Sequence, residues 1–296
     1  MHLLPNGFCC LCFLVKSEAL DINYTEDFVD AMTAGCRIEF KVKHFGFTDC
    51  SGSCFYESQW GKNRIGYLIY RIIIFGYALA WIIADVVTIP QPYYAIFLTN
   101  WSEVAGCLYL FLALCIAIYG VATEGKDLRW FHKVVWLVFE AVISGALITD
   151  ILFWGLLSSR LSSQALAHQF NIHEHVVAYL LLLIDLFINK IPLRFLHFPY
   201  TAGYGLTYAI FTLILHGAGV RSAVYPPLDW ANSPGIAVLY SLVASLIAMP
   251  VAHILHWGFY HLRAFIARSC DVEDSPLEDR SVENIEMGGE TNNAFE

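Results

Sequence analysis

Six long apolar segments constrain this chain more than any other feature. They lie at about residues 65–89, 93–120, 134–158, 175–191, 201–219 and 234–258. Each is close to the roughly 20 residues that an α-helix needs to cross the hydrocarbon core of a bilayer. Charged residues make up only 15% of the chain, against about 25% in soluble domains. The sequence therefore predicts an all-α, polytopic membrane protein with a bundle of six transmembrane helices.

The apolar segments divide the chain into three regions. Residues 1–63 precede the first span, residues 64–262 form the transmembrane domain, and residues 263–296 form an acidic tail. The tail has few apolar residues to bury, so we expect it to be disordered in the cytoplasm. In the first region, residues 38–45 alternate apolar and polar side chains, which indicates a short strand or an extended segment on the membrane surface.

The charge distribution predicts how the chain is oriented. Basic residues are frequent in the loops that follow the second and fourth spans, at Lys126, Arg129, Lys133, Lys190 and Arg194. The loops on the opposite side contain only Arg160 and Arg221. Because Lys and Arg accumulate in cytoplasmic loops, both termini are predicted to be cytoplasmic, in the plasma membrane or the endoplasmic reticulum. The net charge of −9 argues against a nucleic-acid partner.

Four cysteines near the ends of the chain are candidates for lipidation. On the predicted cytoplasmic side, palmitoylation is possible at Cys9, Cys10, Cys12 and Cys270. The alternative interpretation, which fits equally well, is that these four cysteines are reduced and unmodified.

Polar side chains at the predicted outer ends of the spans are the candidate functional residues. Five spans supply them: the second at Thr99, Asn100 and Glu103, the third at Asp150, the fourth at His173 and His175, and the first and fifth at their ends, Asp85 and His216. Polar groups at membrane depth must be hydrogen-bonded inside the protein, and they mark functional sites by default. The alternative is that these hydroxyls and imidazoles only join one helix to another.

These residue types suffice for nucleophilic acyl transfer without a metal or an organic cofactor. A threonine hydroxyl such as Thr99 is a weak nucleophile until a base removes its proton, and histidine suits that task near neutral pH. Asp150 or Glu103 could orient the imidazole, and Asn100 could donate a hydrogen bond to a developing oxyanion.

A second set of polar residues lies deeper, toward the predicted cytoplasmic side. It contains Arg71, Glu140, Asp185 and His253. An ion pair of Arg71 with Asp185 or Glu140 would reduce the cost of burying both charges. We expect this deeper set to fix the packing of the helices.

Several motifs, in order along residues 38–262, resemble the rolling stone-like membrane proteins. They are Glu39-Phe, His44-Phe-Gly-Phe, Ser58-Gln-Trp60, Phe97-Leu-Thr-Asn-Trp101, Asn171-Ile-x-x-His175 and Leu196-His-Phe-Pro-Tyr200. That family is linked to myoblast fusion. It is distantly similar to the androgen-induced and androgen-dependent multi-pass hydrolases, which use an intramembrane Thr and His to cleave fatty acid esters of hydroxy fatty acids.

The resemblance implies a role for two residues. It assigns the nucleophile to Thr99 and the base to His175, with His173 as the neighbouring alternative, and the substrate would be a lipid ester. The other interpretation is a non-catalytic membrane protein that acts in cell–cell fusion or adhesion through protein partners that the sequence does not identify. A haem protein is disfavoured because the second span contains no histidine. A transporter is disfavoured because the sequence shows no internal repeat.

Overall fold

The fold is built from long helices. The structure is a computed structural model, and it describes residues 40–273 apart from 41, 49, 89–93, 124, 167 and 222. The six longest helices of this described part are α1 (Arg64–Thr88), α2 (Leu98–Thr123), α3 (Trp130–Arg160), α4 (Gln169–Ile188), α5 (Phe198–Gly217) and α6 (Pro234–Ser269). The described residues contain no β-strand, which confirms the all-α prediction.

Five of these helices are long and apolar enough to cross a membrane. They are α1, α2, α3, α4 and α6. Helix α5 has the length, with 20 residues, but Pro199, Gly203 and Gly205 in its first half lower its hydropathy. The multi-pass architecture is therefore supported, whereas the sixth span and the orientation of the termini remain predictions.

Helix α3 lies at the centre of the bundle and α1 at its edge. In their most apolar stretches, 72% of the α3 residues are buried, against 17% in α1. The core around α3 includes Trp136 and Phe139, which are fully buried, and the ring of Phe139 stacks on Tyr109 of α2 with 4.8 Å between centroids. The exposed surface of α1 is apolar, as is required of a helix that faces lipid.

Three of the long helices contain a π-helical turn. These turns are Phe153–Leu157 in α3, His173–Val177 in α4 and Ala244–Ala248 in α6. A π-turn accommodates one extra residue in an α-helix and is frequent at functional sites. Each turn interrupts the regular 3.6-residue periodicity of its helix.

The segment before α1 packs into the bundle instead of forming a strand. Val42–Phe45 is a 3-10 turn, so the strand predicted for residues 38–45 is wrong in its described part. Farther along, Tyr56 is 1% exposed and donates a hydrogen bond to the carbonyl of Gly125 (2.8 Å). Trp60 donates to the carbonyl of Phe187 (2.7 Å). Within the 3-10 turn itself, the carbonyl of Phe45 accepts a hydrogen bond from Tyr200 of α5 (3.1 Å), so long-range contacts override the local alternation.

The deeper polar set forms two buried pairs. The Arg71 guanidinium lies 2.7 Å from the Asp185 carboxylate, and both side chains are fully buried. This contact confirms the first of the two predicted pairings. Glu140 instead pairs with His197, at 2.7 Å, and accepts a hydrogen bond from Trp136. These pairs join α1 to α4 and α3 to the start of α5.

The chain ends lie partly outside the described residues. The last helical stretch, Met249–Glu273, continues beyond residue 262, where we expected the transmembrane domain to end. Residues 1–39 and 274–296 are not described. The lipidation sites predicted at Cys9, Cys10 and Cys12 and most of the acidic tail lie outside the described residues, as does the side chain of Cys270.

Candidate functional site

An apolar cavity of about 100 Å³ lies between α2, α3, α5 and α6. Ile148, Leu152 and Met249 contribute to its wall, together with other apolar side chains and a few hydroxyl groups. Thr99, in the first turn of α2, is one of the residues on that wall. A mostly apolar cavity with a few placed polar groups is the usual form of a site for an apolar ligand.

Tyr225 is the polar neighbour of Thr99 at this cavity. Its phenol oxygen accepts a hydrogen bond from the backbone N–H of Leu98 (2.9 Å), and the Thr99 hydroxyl faces the same phenol. Tyr225 lies in the connection between α5 and α6, outside the helices. Burial raises the pKa of this phenol, so it remains protonated near neutral pH and is available as a hydrogen-bond donor.

His175 faces Asp150 but does not reach the cavity. Its Nδ1 atom lies 3.8 Å from a carboxylate oxygen of Asp150, which is too long for a hydrogen bond. The ring of Phe153 stacks flat on the imidazole, with 3.6 Å between centroids and 6° between planes. Phe153 also lines the cavity, so its ring lies between His175 and the space beside Thr99.

Glu103 and Asn100 have other partners. A Glu103 carboxylate oxygen lies 3.1 Å from Nδ1 of His173, and the His173 ring stacks on Trp81 at 4.2 Å. The Asn100 amide donates to the backbone carbonyl of Tyr94 (2.7 Å). Glu103 therefore pairs with His173 and not with His175, and Asn100 stabilises the turn that precedes α2.

The predicted site residues thus fall into three groups. Thr99 lies at the cavity, the pair of His175 and Asp150 lies behind Phe153, and the pair of His173 and Glu103 lies farther toward α1. Among the described residues, no hydrogen bond joins Thr99 to His175.

A second, smaller cavity of about 30 Å³ adjoins the first. Its wall includes Glu103, Asp150, His173 and Glu174. Thr149 lines both cavities, and its hydroxyl shares a hydrogen bond with Ser102 (2.9 Å). The three groups of polar residues therefore lie close to one another around two adjacent cavities.

Sequence reasoning missed Phe153 and Glu174. Phe153 is one of 21 phenylalanines, and nothing in the sequence distinguishes it from a core residue. Glu174 carried a signal, because it lies between the two candidate histidines on a helix otherwise rich in apolar residues.

Two comparisons with known proteins point to the same family. A family model described as protein rolling stone matches residues 25–279. The protein rolling stone of Drosophila melanogaster is 27% identical over 262 residues, which cover 80% of this chain and 93% of that protein. No solved structure matches the chain.

Proposed function

The chain belongs to the family of rolling stone proteins, and on this basis we propose that it is a multi-pass membrane protein whose apolar cavity binds and hydrolyses a lipid ester. The supporting observation is the position of Thr99, which lies on the wall of a mostly apolar cavity. An acyl chain would occupy the apolar space, and its ester group would lie against the hydroxyl groups of Thr99 and Tyr225.

The proposed reaction proceeds through an acyl-threonine. Oγ1 of Thr99 attacks the carbonyl carbon of the ester and transfers its proton to Nε2 of His175. Because Nδ1 of His175 faces Asp150, Nε2 is the nitrogen left to act as base. The Tyr225 hydroxyl donates to the oxyanion. The hydroxy fatty acid leaves with the proton from His175, and water then releases the fatty acid.

The reaction requires Phe153 to move. In the described arrangement its ring separates His175 from the cavity, so the base reaches Thr99 only after the ring has turned away. Phe153 opens a π-turn, which is a common position for local rearrangement. The described arrangement is therefore the resting state in this proposal.

Labelling with a fluorophosphonate probe tests the proposal directly. Membranes containing the wild type should be labelled, and Thr99→Ala and His175→Ala should each reduce labelling at least about 100-fold, the effect of removing a nucleophile or its base. Thr207→Ala is the matched control, because Thr207 is an exposed threonine on α5 that bonds only to its own helix. Absence of labelling in a well-folded wild type contradicts the hydrolase.

Phe153→Leu is expected to accelerate labelling. Leucine preserves most of the side-chain volume but cannot stack flat on the imidazole. A stacked aromatic pair is worth about 0.5–1.5 kcal/mol. If opening this stack limits the reaction, losing it should raise the labelling rate about two- to twelvefold. Phe170→Leu is the control, since Phe170 is equally buried and contacts Trp81 outside the cavity. Equal losses of labelling in both variants would show that the ring of Phe153 only fills space.

The alternative function is a non-catalytic membrane protein acting in cell–cell fusion or adhesion. The observation that favours it is the hydrogen bond between Ser102 of α2 and Thr149 of α3 (2.9 Å), since hydrogen bonds of this kind suffice to join helices. Under this alternative, Thr99→Ala leaves both probe labelling and function unchanged.

A further inference from the structure

Three carboxylates meet at the end of the bundle that contains the candidate site. One oxygen from each of Asp85, Glu103 and Glu174 lies within 4.8 Å of the other two. They come from α1, α2 and α4, which are separated along the chain. Asp85 is 2% exposed and Glu103 8% exposed, and Glu174 is half-buried. From this arrangement we propose that the three residues bind a divalent cation, and that the cation is Ca²⁺.

The charge of this carboxylate cluster requires compensation. Three carboxylates this close repel one another strongly in a medium of low dielectric constant. Within the described residues, the ion pairs give the cluster one basic partner, His173, which contacts Glu103. A single imidazole cannot neutralise the cluster when all three carboxylates are ionised, and no Lys or Arg of the described ion pairs contacts them. A bound divalent cation supplies the missing charge.

Unsatisfied polar atoms give an independent reason to place a ligand here. Both carboxylate oxygens of Asp85, Oε2 of Glu103 and Nε2 of His173 are buried without a hydrogen-bond partner in the described part of the chain. Tyr94 and Glu174 are the polar neighbours of Asp85, and the Tyr94 hydroxyl is itself buried without a hydrogen-bond partner. Buried polar atoms are normally satisfied, so several orphans in one place need an explanation.

The position of His173 relates two of the three carboxylates, those of Glu103 and Glu174, to one cavity. His173 is 5% exposed and lines the smaller cavity beside Glu103 and Glu174. Its Nδ1 atom holds one oxygen of Glu103 (3.1 Å), which leaves the other oxygen of that carboxylate for a cation. A histidine that orients a ligating carboxylate is a common arrangement around bound metals.

The ligand chemistry selects Ca²⁺ among the divalent cations. Carboxylate oxygens suit hard cations such as Ca²⁺, Mg²⁺ and Mn²⁺. Ca²⁺ accepts oxygen ligands in a flexible geometry, which suits carboxylates supplied by three separate helices. Mg²⁺ demands a near-ideal octahedral arrangement and keeps most of its water ligands. Water completes the coordination.

Binding would join the ends of three helices. The cation ties α1 to α2 and α4 at a point where α4 contains its π-turn, His173–Val177. It does not touch Thr99, so the proposal is independent of the hydrolase and holds for a non-catalytic protein as well.

The test uses the full-length protein purified in detergent after treatment with EDTA. Ca²⁺ is titrated against a chromophoric chelator, and thermal unfolding is followed in parallel. We expect saturable binding of one Ca²⁺ per chain with a rise in Tm, because a ligand that binds only the folded state stabilises it. Glu174→Gln and Asp85→Asn should each weaken binding at least about tenfold, a loss of about 1.4 kcal/mol.

Controls make each outcome decisive. Asp127→Asn changes an exposed carboxylate in the loop after α2 and should bind Ca²⁺ as the wild type does. Glu174→Gln remains informative if Asp85→Asn fails to fold, because Glu174 is only half-buried. The proposal is overturned if Ca²⁺ neither binds nor raises the Tm, if the Glu174 variant binds as tightly as the wild type, or if only Zn²⁺ binds.

Discussion

Asp185→Ala is expected to destabilise the protein by about 3–5 kcal/mol, because it leaves the charge of Arg71 buried without its partner. The two side chains are 2.7 Å apart and fully buried. Asp185 also accepts hydrogen bonds from Tyr70 and Tyr109, which would lose their acceptor. The measurement is the free energy of unfolding in mixed detergent micelles.

Two further variants separate charge from packing at this position. The double variant Arg71→Met with Asp185→Leu removes both charges and should lose less stability than Asp185→Ala alone, since apolar replacements of a buried pair are often tolerated. Glu57→Ala breaks the more exposed pair with Arg64 (3.1 Å) and should cost no more than about 1 kcal/mol. If the double variant is less stable than Asp185→Ala, the hydrogen bonds of Asp185, and not the unpaired charge of Arg71, account for most of the lost stability.

Arg263→Leu should have an effect of similar size. Arg263 of α6 is 1% exposed, and its guanidinium donates to the carbonyls of Leu186, Asn189 and Ile191 and to the Asn189 side chain. These contacts hold the turn after α4 against α6. A hydrogen bond to a charged group contributes about 1.5–3 kcal/mol, so losing several should cost about 3 kcal/mol or more.

The planar geometry of the guanidinium supports a second prediction, for Arg263→Lys. Lysine retains the charge but lacks the planar fork of donors, so Arg263→Lys should recover less than half of the loss. Arg268→Leu is the matched control, because Arg268 is exposed on the same helix, and it should change the unfolding free energy by less than about 0.5 kcal/mol. Full rescue by lysine would mean that only the charge of Arg263 matters.

The sequence predicts the helices well because bilayer-spanning segments are long and uniformly apolar. Their predicted positions lie within a few residues of α1, α3 and α5, whereas α6 continues to Ser269, well beyond the predicted end at about residue 258. The sequence also predicts the pair of Arg71 and Asp185, because so costly a charge needs a partner of opposite sign. Helix α5 is less clear, since its glycines and tyrosines weaken the hydropathy signal.

The candidate site is harder to predict because it depends on side-chain direction. Equal depth in the membrane places Thr99 and His175 in one layer, but it cannot show that Phe153 lies between the imidazole and the cavity. The π-turn at His173–Val177 adds to the difficulty. It shifts the helical phase within α4, so a constant 3.6-residue period assigns some side chains to the wrong face.

The contacts of the segment before α1 have a consequence for biosynthesis. Trp60 donates to the carbonyl of Phe187, 127 residues farther along the chain. At a translation rate of about 5–20 residues per second, the ribosome needs roughly 6–25 s to make that partner. Tyr56 must likewise wait for Gly125. The part of the described chain that leaves the ribosome first thus reaches its final place only after α4 has been made, and until then its aromatic side chains are open to chaperones.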